Sequence, residues 1–197
     1  MVLFLPKIIE QGMSLVAGIF IIAAQAILIW DVVKRKISPG LLSWFGWGLL
    51  MGTSLISQII DKGWQWNQTG LLCSAIGCIF IFATAWVYNN YLMKKSDWSF
   101  LILGLVCMII YLISKDPWLT TGFAILADFI VGIPTLRHAW INPASQKTSA
   151  WTLGFISWIF SLILCIGHSW LYALFPIYLF IYNGAMIALT HRKAASS

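Results

Sequence analysis

The stretch that decides the fold is GIFIIAAQ at residues 18–25, because it has a near copy in GFAILAD at residues 122–128. Both are apolar runs that end in one polar side chain, Gln25 in the first and Asp128 in the second. Further along, Trp47 falls in the second apolar segment of the chain where Trp158 falls in the sixth. These matches predict a three-helix unit written twice in the same orientation, and repeated halves usually enclose a pathway across a membrane.

The composition places this chain in a membrane. Of its 197 residues, 60% are hydrophobic and only 9% are charged, whereas a soluble domain carries about 25% charged residues. The apolar residues gather in segments that approach the roughly 20 residues a helix needs to cross a bilayer, and that are too continuous for barrel strands. There are seven such segments, at residues 13–33, 41–60, 70–93, 99–114, 118–140, 150–168 and 171–190.

We therefore predict an all-α integral membrane protein with seven transmembrane helices arranged as three, one and three. Three helices reverse the direction of the chain, so a single extra helix is needed to return the second unit to the orientation of the first. The fourth segment carries no charged residue and suits this connecting role. The expected divisions are a first bundle at residues 1–95, a linker helix at 96–116 and a second bundle at 117–197.

The basic residues indicate how the chain lies in the membrane, since Lys and Arg concentrate in cytoplasmic loops. If the N-terminus is outside, only Lys7, Lys62 and Lys115 remain on the outer side. The other nine then face the cytoplasm: Lys34, Arg35, Lys36, Lys94, Lys95, Arg137, Lys147, Arg192 and Lys193. This predicts an outside N-terminus and a cytoplasmic C-terminus. The net charge of +6 then reflects topology and anionic headgroups rather than nucleic-acid binding.

Asp128 is the sharpest single candidate for a functional residue. It lies 10 residues after Trp118, which is about 15 Å along a helix and close to the middle of a hydrocarbon layer about 30 Å thick. A charged carboxylate facing lipid at that depth would cost at least ~2.5 kcal/mol. Asp128 therefore faces the interior, either as a hydrogen-bonded packing residue or as a group that contacts a solute or carries a proton.

Matching depths adds further residues to the level of Asp128. Antiparallel neighbouring helices reach the same depth at equal distances from their shared loop, so one residue can be assigned in each of six helices. The resulting substrate-binding candidates are Gln25, Trp47, Thr84, Asp128, Trp158 and Asn183. Indole walls with amide, hydroxyl and carboxyl groups suit a polar solute that has one flat apolar face. Packing between repeats remains the alternative for the two Trp residues, and an interhelical hydrogen bond for Asn183.

Most of the remaining Trp residues fall near segment ends, where an interfacial aromatic belt is expected. These are Trp30, Trp64, Trp66, Trp98, Trp118, Trp140, Trp151 and Trp170. Trp44 and Trp86 are left open between the belt and interior packing. Pro134 lies within the fifth segment, where it removes a backbone donor and can kink the helix. We interpret it either as a hinge or as a proline tolerated by the membrane.

Other kinds of site lack their sequence patterns. Cys73, Cys78, Cys107 and Cys165 lie inside apolar segments without metal-ligand spacing, and the histidines are isolated. There is also no nucleophile with a nearby base, so we expect no metal, no cofactor and no enzymatic activity. The expected partners are a small-molecule solute, protons and the lipid bilayer, with a homo-oligomer left open. Compact length and short loops favour a bacterial inner membrane.

Several features together point to one superfamily. The plan of three, one and three helices, the outside N-terminus and a basic loop after the first helix of each half form its outline. Pro134-Thr135-Leu136 stands where that superfamily has a Pro-Gln motif, and Trp158 and Asn183 look like its pocket residues. In these respects the chain resembles the PQ-loop and SWEET transporters, although Thr135 replaces the Gln and the first half has no Pro-Gln.

The resemblance implies a transporter with alternating access around a central pocket, and it does not specify the solute. Proton coupling through Asp128 is a further expectation, since a carboxyl group buried away from water tends to hold a proton. The alternative, motivated by the altered Pro-Gln motif, is a non-transporting membrane receptor or assembly factor built on the same fold.

Overall fold

The computed structural model describes residues 7–64, 68–114, 116–166 and 170–192, and within these ranges the chain forms seven α-helices. They are α1 (Lys7–Val33), α2 (Leu41–Lys62), α3 (Thr69–Val87), α4 (Lys95–Ile113), α5 (Pro117–Ile141), α6 (Ala150–Leu164) and α7 (Trp170–His191). By length and composition, α1, α3, α4, α5 and α7 can each cross a membrane. Shorter apolar stretches, Leu41–Ile56 and Ala150–Leu164, lie in α2 and α6. These helices confirm an all-α architecture and indicate an integral membrane protein.

Two helices end earlier than the sequence predicted. α3 stops at Val87 rather than at residue 93, because Asn89 adopts a left-handed backbone conformation with a φ of 46°, which Asn tolerates better than most residues. The peptide N–H of Asn90 then donates to the carbonyl oxygen of Ala85 at 3.0 Å. α6 stops at Leu164, and residues 165–166 form a turn. The predicted end of the sixth segment, at residue 168, lies outside the described residues.

Many large apolar side chains point away from the bundle, and many small and polar side chains point into it. On α1, Ile19 and Ile22 are exposed, whereas Ala17 and Ala24 are buried. Ser14, on the same helix, is buried as well. A soluble protein rarely exposes a large contiguous apolar surface. The pattern therefore fits helices whose outer faces contact lipid.

Six helices pack in a closed circuit, and α4 lies outside it. α1 contacts α3 and α6, α2 contacts α3 and α5, and α7 contacts α5 and α6. α4 packs mainly against α5 and, to a smaller extent, against α2. Gly104 permits the close approach of α4 to α5, because a Cβ atom there would overlap the side chain of Val131.

Three loops meet at one end of the bundle, at residues 34–40, 88–94 and 142–149, and we refer to it as the basic end. The side-chain amide of Asn90 donates to the carbonyl oxygens of Val32 and Ile37 at 2.8 and 2.9 Å. Its oxygen accepts from the Ser38 hydroxyl at 2.8 Å. The Gln146 amide donates to the carbonyl oxygen of Ser38 at 2.6 Å. Backbone groups of the first loop are thus paired with side chains from the other two loops.

Candidate functional site

A cavity of about 80 Å³ lies inside the circuit of six helices, with room for a few water molecules. Each of these six helices contributes lining residues, and α4 contributes none. The cavity begins near the basic end, where Ala150 and Trp151 form the start of α6. It reaches Asp128, which is 11 residues after Pro117 at the start of α5. The cavity therefore runs from the basic end to the middle of the bundle.

Five of the six residues predicted to bind a solute line this one cavity. They are Gln25, Trp47, Asp128, Trp158 and Asn183. Thr84 lies outside it, and α3 instead contributes Ser74 and Cys78. Residue counting placed Thr84 at this depth by assuming that α2 and α3 end level at their shared loop. Cys78 lies six residues before Thr84, which corresponds to about 9 Å along the helix. Solute binding by the five residues stays a prediction.

Asp128 is held firmly but keeps one carboxyl oxygen without a partner. Its side chain is only 2% exposed. The Tyr178 hydroxyl donates to Oδ2 at 2.7 Å, and the Trp47 indole N–H donates to the backbone oxygen of Asp128 at 3.1 Å. Oδ1 is buried and has no hydrogen-bond partner among the described residues. A buried polar atom in this state carries a free-energy cost that a bound donor would remove.

Aromatic side chains form one wall of the cavity. The rings of Trp44 and Trp47 meet edge to face with centroids 5.1 Å apart, and Trp44 lies 6.1 Å from Trp151. Trp47 also meets Tyr182 edge to face at 5.6 Å. The indole N–H of Trp151 donates to Gln146 at 3.0 Å. That of Trp44 is buried and has no partner in the described part of the chain.

Trp151 corrects one prediction made from the sequence. Its position near a segment end suggested the interfacial belt, but the side chain is buried and lines the cavity. Trp151 is the second residue of α6, so it does lie near the end of the bundle. The prediction failed because position along a helix gives depth, whereas the face of the helix decides between lipid and interior.

Two glycines allow amide side chains to reach the cavity. The Gln25 amide donates to the carbonyl oxygen of Ser74 at 3.2 Å, and its oxygen lies so close to Gly77 that a Cβ atom there would overlap it. Across the cavity, Asn183 lies against Gly154 in a similar way. The Asn183 amide nitrogen donates within its own helix, to Leu179, at 2.8 Å. Any side chain larger than hydrogen at either glycine would displace a polar group of the cavity.

Tyr178 and Tyr182 are important residues that the sequence reasoning missed. Tyr178 is the partner of the Asp128 carboxyl group, and the Tyr182 hydroxyl donates to the carbonyl oxygen of Gly132 at 3.0 Å. Their spacing of four residues puts both on one face of α7. Trp44 and Trp47 share a face of α2 by the same rule. These spacings were readable in the sequence and would have identified the aromatic wall.

A second cavity, of about 10 Å³, lies on the other side of Asp128 from the basic end. Ser54 and Tyr111 line it together with Asp128. Its volume is close to what a single water molecule requires. The carboxyl group therefore separates the larger cavity from a small space nearer the opposite end of the bundle.

A buried polar cluster outside the main cavity surrounds Gly40 near the basic end. The Nε2 atom of His138 lies 3.8 Å from Oδ2 of Asp97. The hydroxyls of Ser43 and Thr135 are buried and have no hydrogen-bond partners within the described ranges. Thr135 is fully buried and follows Pro134, through which α5 continues to Ile141. The role of Pro134 as a hinge stays a prediction.

The chain has no significant match among protein-family models, curated proteins or solved structures. Across the described residues, no three His, Cys, Asp or Glu side chains are grouped in a way that could hold a metal ion.

Proposed function

We propose that this protein is a membrane transporter that carries a small polar solute through the main cavity by alternating access. The observation that carries the proposal is Asp128, which lines an aromatic-walled cavity among apolar helices and whose buried Oδ1 has no partner in the described part of the chain. Ionisable groups at membrane depth are expensive and usually mark a substrate or ion pathway. Trp44 lines the same cavity, and its buried indole N–H has no partner in the part of the chain that the structure describes.

The order of helix packing supports two equivalent halves. α3 lies between α1 and α2 in the circuit, as α7 lies between α5 and α6. If α1 corresponds to α5 and α2 to α6, the contact of α1 with α6 corresponds to that of α5 with α2. α4 has no counterpart in this correspondence, as expected for a linker helix. We propose the parallel arrangement of three, one and three helices on this basis, with the solute site where the halves meet.

In this proposal the N-terminus is outside and the basic end faces the cytoplasm. Release to the cytoplasm then requires the loops at the basic end to separate, which breaks the hydrogen bonds of Asn90 and Gln146. Pro134 lies in α5 next to the Thr135 cluster and would supply the hinge. Interfaces that move between two arrangements are the usual basis of such switching.

Flux in proteoliposomes tests the proposal. Purified protein would be reconstituted and assayed with a labelled panel of amines, amino acids and sugars. We expect uptake of at least one solute class, strongly reduced in Gly77→Ala because the new methyl group displaces Gln25. Gly70→Ala is the matched control, since it lies on the same helix with open space around it.

Two results would overturn the transporter proposal. One is the absence of flux for every solute in the panel, with correctly inserted and thermally stable protein. The other is flux that Gly77→Ala and Gly70→Ala leave equally unchanged, because transport would then bypass the cavity. A stable protein partner together with no flux would favour the alternative of a receptor or assembly factor.

A further inference from the structure

We propose that the transported solute is a small organic cation, which Asp128 binds in exchange for a proton. The inference rests on the proposed transport function and adds to it the chemical class of the solute and the form of coupling. Its starting point is a single cavity lined both by several indole rings and by a carboxyl group, one oxygen of which has no partner among the described residues.

The charge of the cavity favours a cation. Asp128 is the only Asp or Glu that lines the cavity in the described part of the chain, and no Lys, Arg or His lines it. Oδ2 already accepts from Tyr178, so Oδ1 is the atom left to meet a solute. A carboxylate attracts any positive charge, and where the cation carries an N–H, their hydrogen bond is roughly twice as strong as one between neutral groups. An anion would face this carboxylate without a compensating charge.

The aromatic wall favours the same class of solute. Four indole side chains line the cavity, those of Trp44, Trp47, Trp151 and Trp158. Trp is the best aromatic partner for a cation held over its ring, and such rings recognise quaternary ammonium groups in particular. A sugar would need partners for many hydroxyls. In the described part of the chain, the buried lining atoms without a hydrogen-bond partner are one carboxyl oxygen of Asp128 and the indole N–H of Trp44.

Proton exchange follows from the burial of Asp128. Without a cation, a proton on the carboxyl group keeps the cavity neutral, which removes the cost of an isolated buried charge. When the cation binds, that proton leaves to water and the carboxylate pairs with the ammonium group. The net charge of the cavity is the same before and after. One proton and one organic cation therefore compete for the same oxygen and move in opposite directions.

The pH dependence of binding is assigned to Asp128 because its neighbours stay neutral. The titratable groups facing it are Tyr178 and Tyr182 on α7, Cys78 on α3 and Tyr111 on α4. Phenols and thiols are ordinarily uncharged below about pH 8. α1, α2 and α6 contribute only residues without a titratable side chain to the lining of the two cavities.

Choline and its uncharged analogue 3,3-dimethyl-1-butanol provide the test, because they share a shape and differ in one positive charge. Binding to the purified protein would be followed by indole fluorescence. We expect choline to bind at least tenfold more tightly at pH 7.5, and its affinity to fall as the pH is lowered. Choline has no titratable group in this range, so the change reports the protein.

Two variants test whether Asp128 is responsible for the preference for choline and for the pH dependence. Asp128→Asn keeps an acceptor for Tyr178 but removes the charge, and we expect it to abolish both the preference for choline and the pH dependence. Glu10→Gln makes the same chemical change on α1, away from the cavity, and should alter neither. If Asp128→Asn fails to fold, the pH dependence of choline affinity in the unmodified protein decides the question.

The outcomes separate this inference from the proposed function. Equal affinity for choline and the alcohol, or choline affinity that does not change with pH, overturns the exchange of a cation for a proton. Absence of choline binding, in vesicles that do carry an uncharged solute, overturns the cation and leaves the transporter standing. Binding of choline that depends on Asp128, in vesicles without any flux, supports the cation site and removes the transport function.

Discussion

The indole N–H of Trp47 on α2 donates to the backbone oxygen of Asp128 on α5, at 3.1 Å. The same indole ring lies over Gly132, one turn further along α5. Trp47 therefore ties α2 to α5 at the depth of the carboxyl group, across one of the two contacts that join the proposed halves. Any motion that separates these helices has to break this hydrogen bond.

Replacing Trp47 tests how much that hydrogen bond contributes to the stability of the protein. Trp47→Phe keeps an aromatic ring and loses the donor, so we expect a loss of about 1 kcal/mol in the free energy of unfolding. Trp44→Phe is the matched control, because its indole N–H has no partner among the described residues. Thermal unfolding of the two variants in the same detergent compares them. Equal loss from both would mean that ring packing, and not the hydrogen bond, accounts for the effect.

Gly132 should not tolerate a methyl group. A Cβ atom there would lie 2.9 Å from Trp47 and from Tyr182, and overpacking of this kind costs about 1–3 kcal/mol. Gly122→Ala, on the same helix but in open space, should instead gain up to about 1 kcal/mol from helix propensity. Opposite shifts of the two unfolding temperatures are expected. A rise for Gly132→Ala would show that the aromatic wall repacks freely.

Thr135→Val should stabilise the protein. The hydroxyl is fully buried and has no partner in the described ranges, and valine fills nearly the same volume without a polar atom. Removing such a group recovers about 1 kcal/mol, which corresponds to a rise of about 2–4 °C in the unfolding temperature. Differential scanning fluorimetry measures this. A fall of that size would indicate that the hydroxyl has a partner, such as an ordered water molecule.

Asn90→Ala should loosen the basic end. The variant leaves the carbonyl oxygens of Val32 and Ile37 without their amide donor. We expect trypsin to cut faster after the exposed Lys34 and Arg35, because the first loop is no longer held. Cleavage after the exposed Lys147, in the loop at residues 142–149, is the control, and its rate should change less. Unchanged cleavage after Lys34 and Arg35 would show that the other hydrogen bonds of the first loop, such as those of Ser38 with Gln146 and Ser145, hold it without Asn90.

The helices could be predicted from the sequence because each contains a long apolar run, and such runs are stable as helices in a lipid environment. Their ends were harder to predict, since α3 stops at Val87, just before the left-handed backbone of Asn89, which hydropathy does not register. The set of residues at the same depth as Asp128 was also largely predictable, because the depth of a residue follows from its position along the helix, at 1.5 Å per residue. Counting did not bring Thr84 to the cavity, where α3 contributes Ser74 and Cys78 instead.

The partners of Asp128 could not be predicted in the same way. Counting residues gives the depth of a residue along the bundle, but it does not tell which helices are neighbours. The contact between α7 and α5, which brings Tyr178 to Asp128, therefore could not be predicted. The positions of Trp44 and Trp151 in the cavity wall could not be predicted for a related reason. A Trp near a helix end can face lipid or the interior, and composition does not distinguish the two orientations. The spacing of aromatic residues along α2 and α7 was the usable signal.

The closing of the basic end has a consequence for how the chain is made. The loop at residues 34–40 finds its partners in Asn90 and Gln146, which lie more than 50 and 100 positions later in the chain. The bonds of Asn90 can form once the ribosome has delivered about half of the protein, and that of Gln146 only after it has delivered most of it. The first helical hairpin must therefore enter the membrane with an unfinished loop, and the later helices complete it.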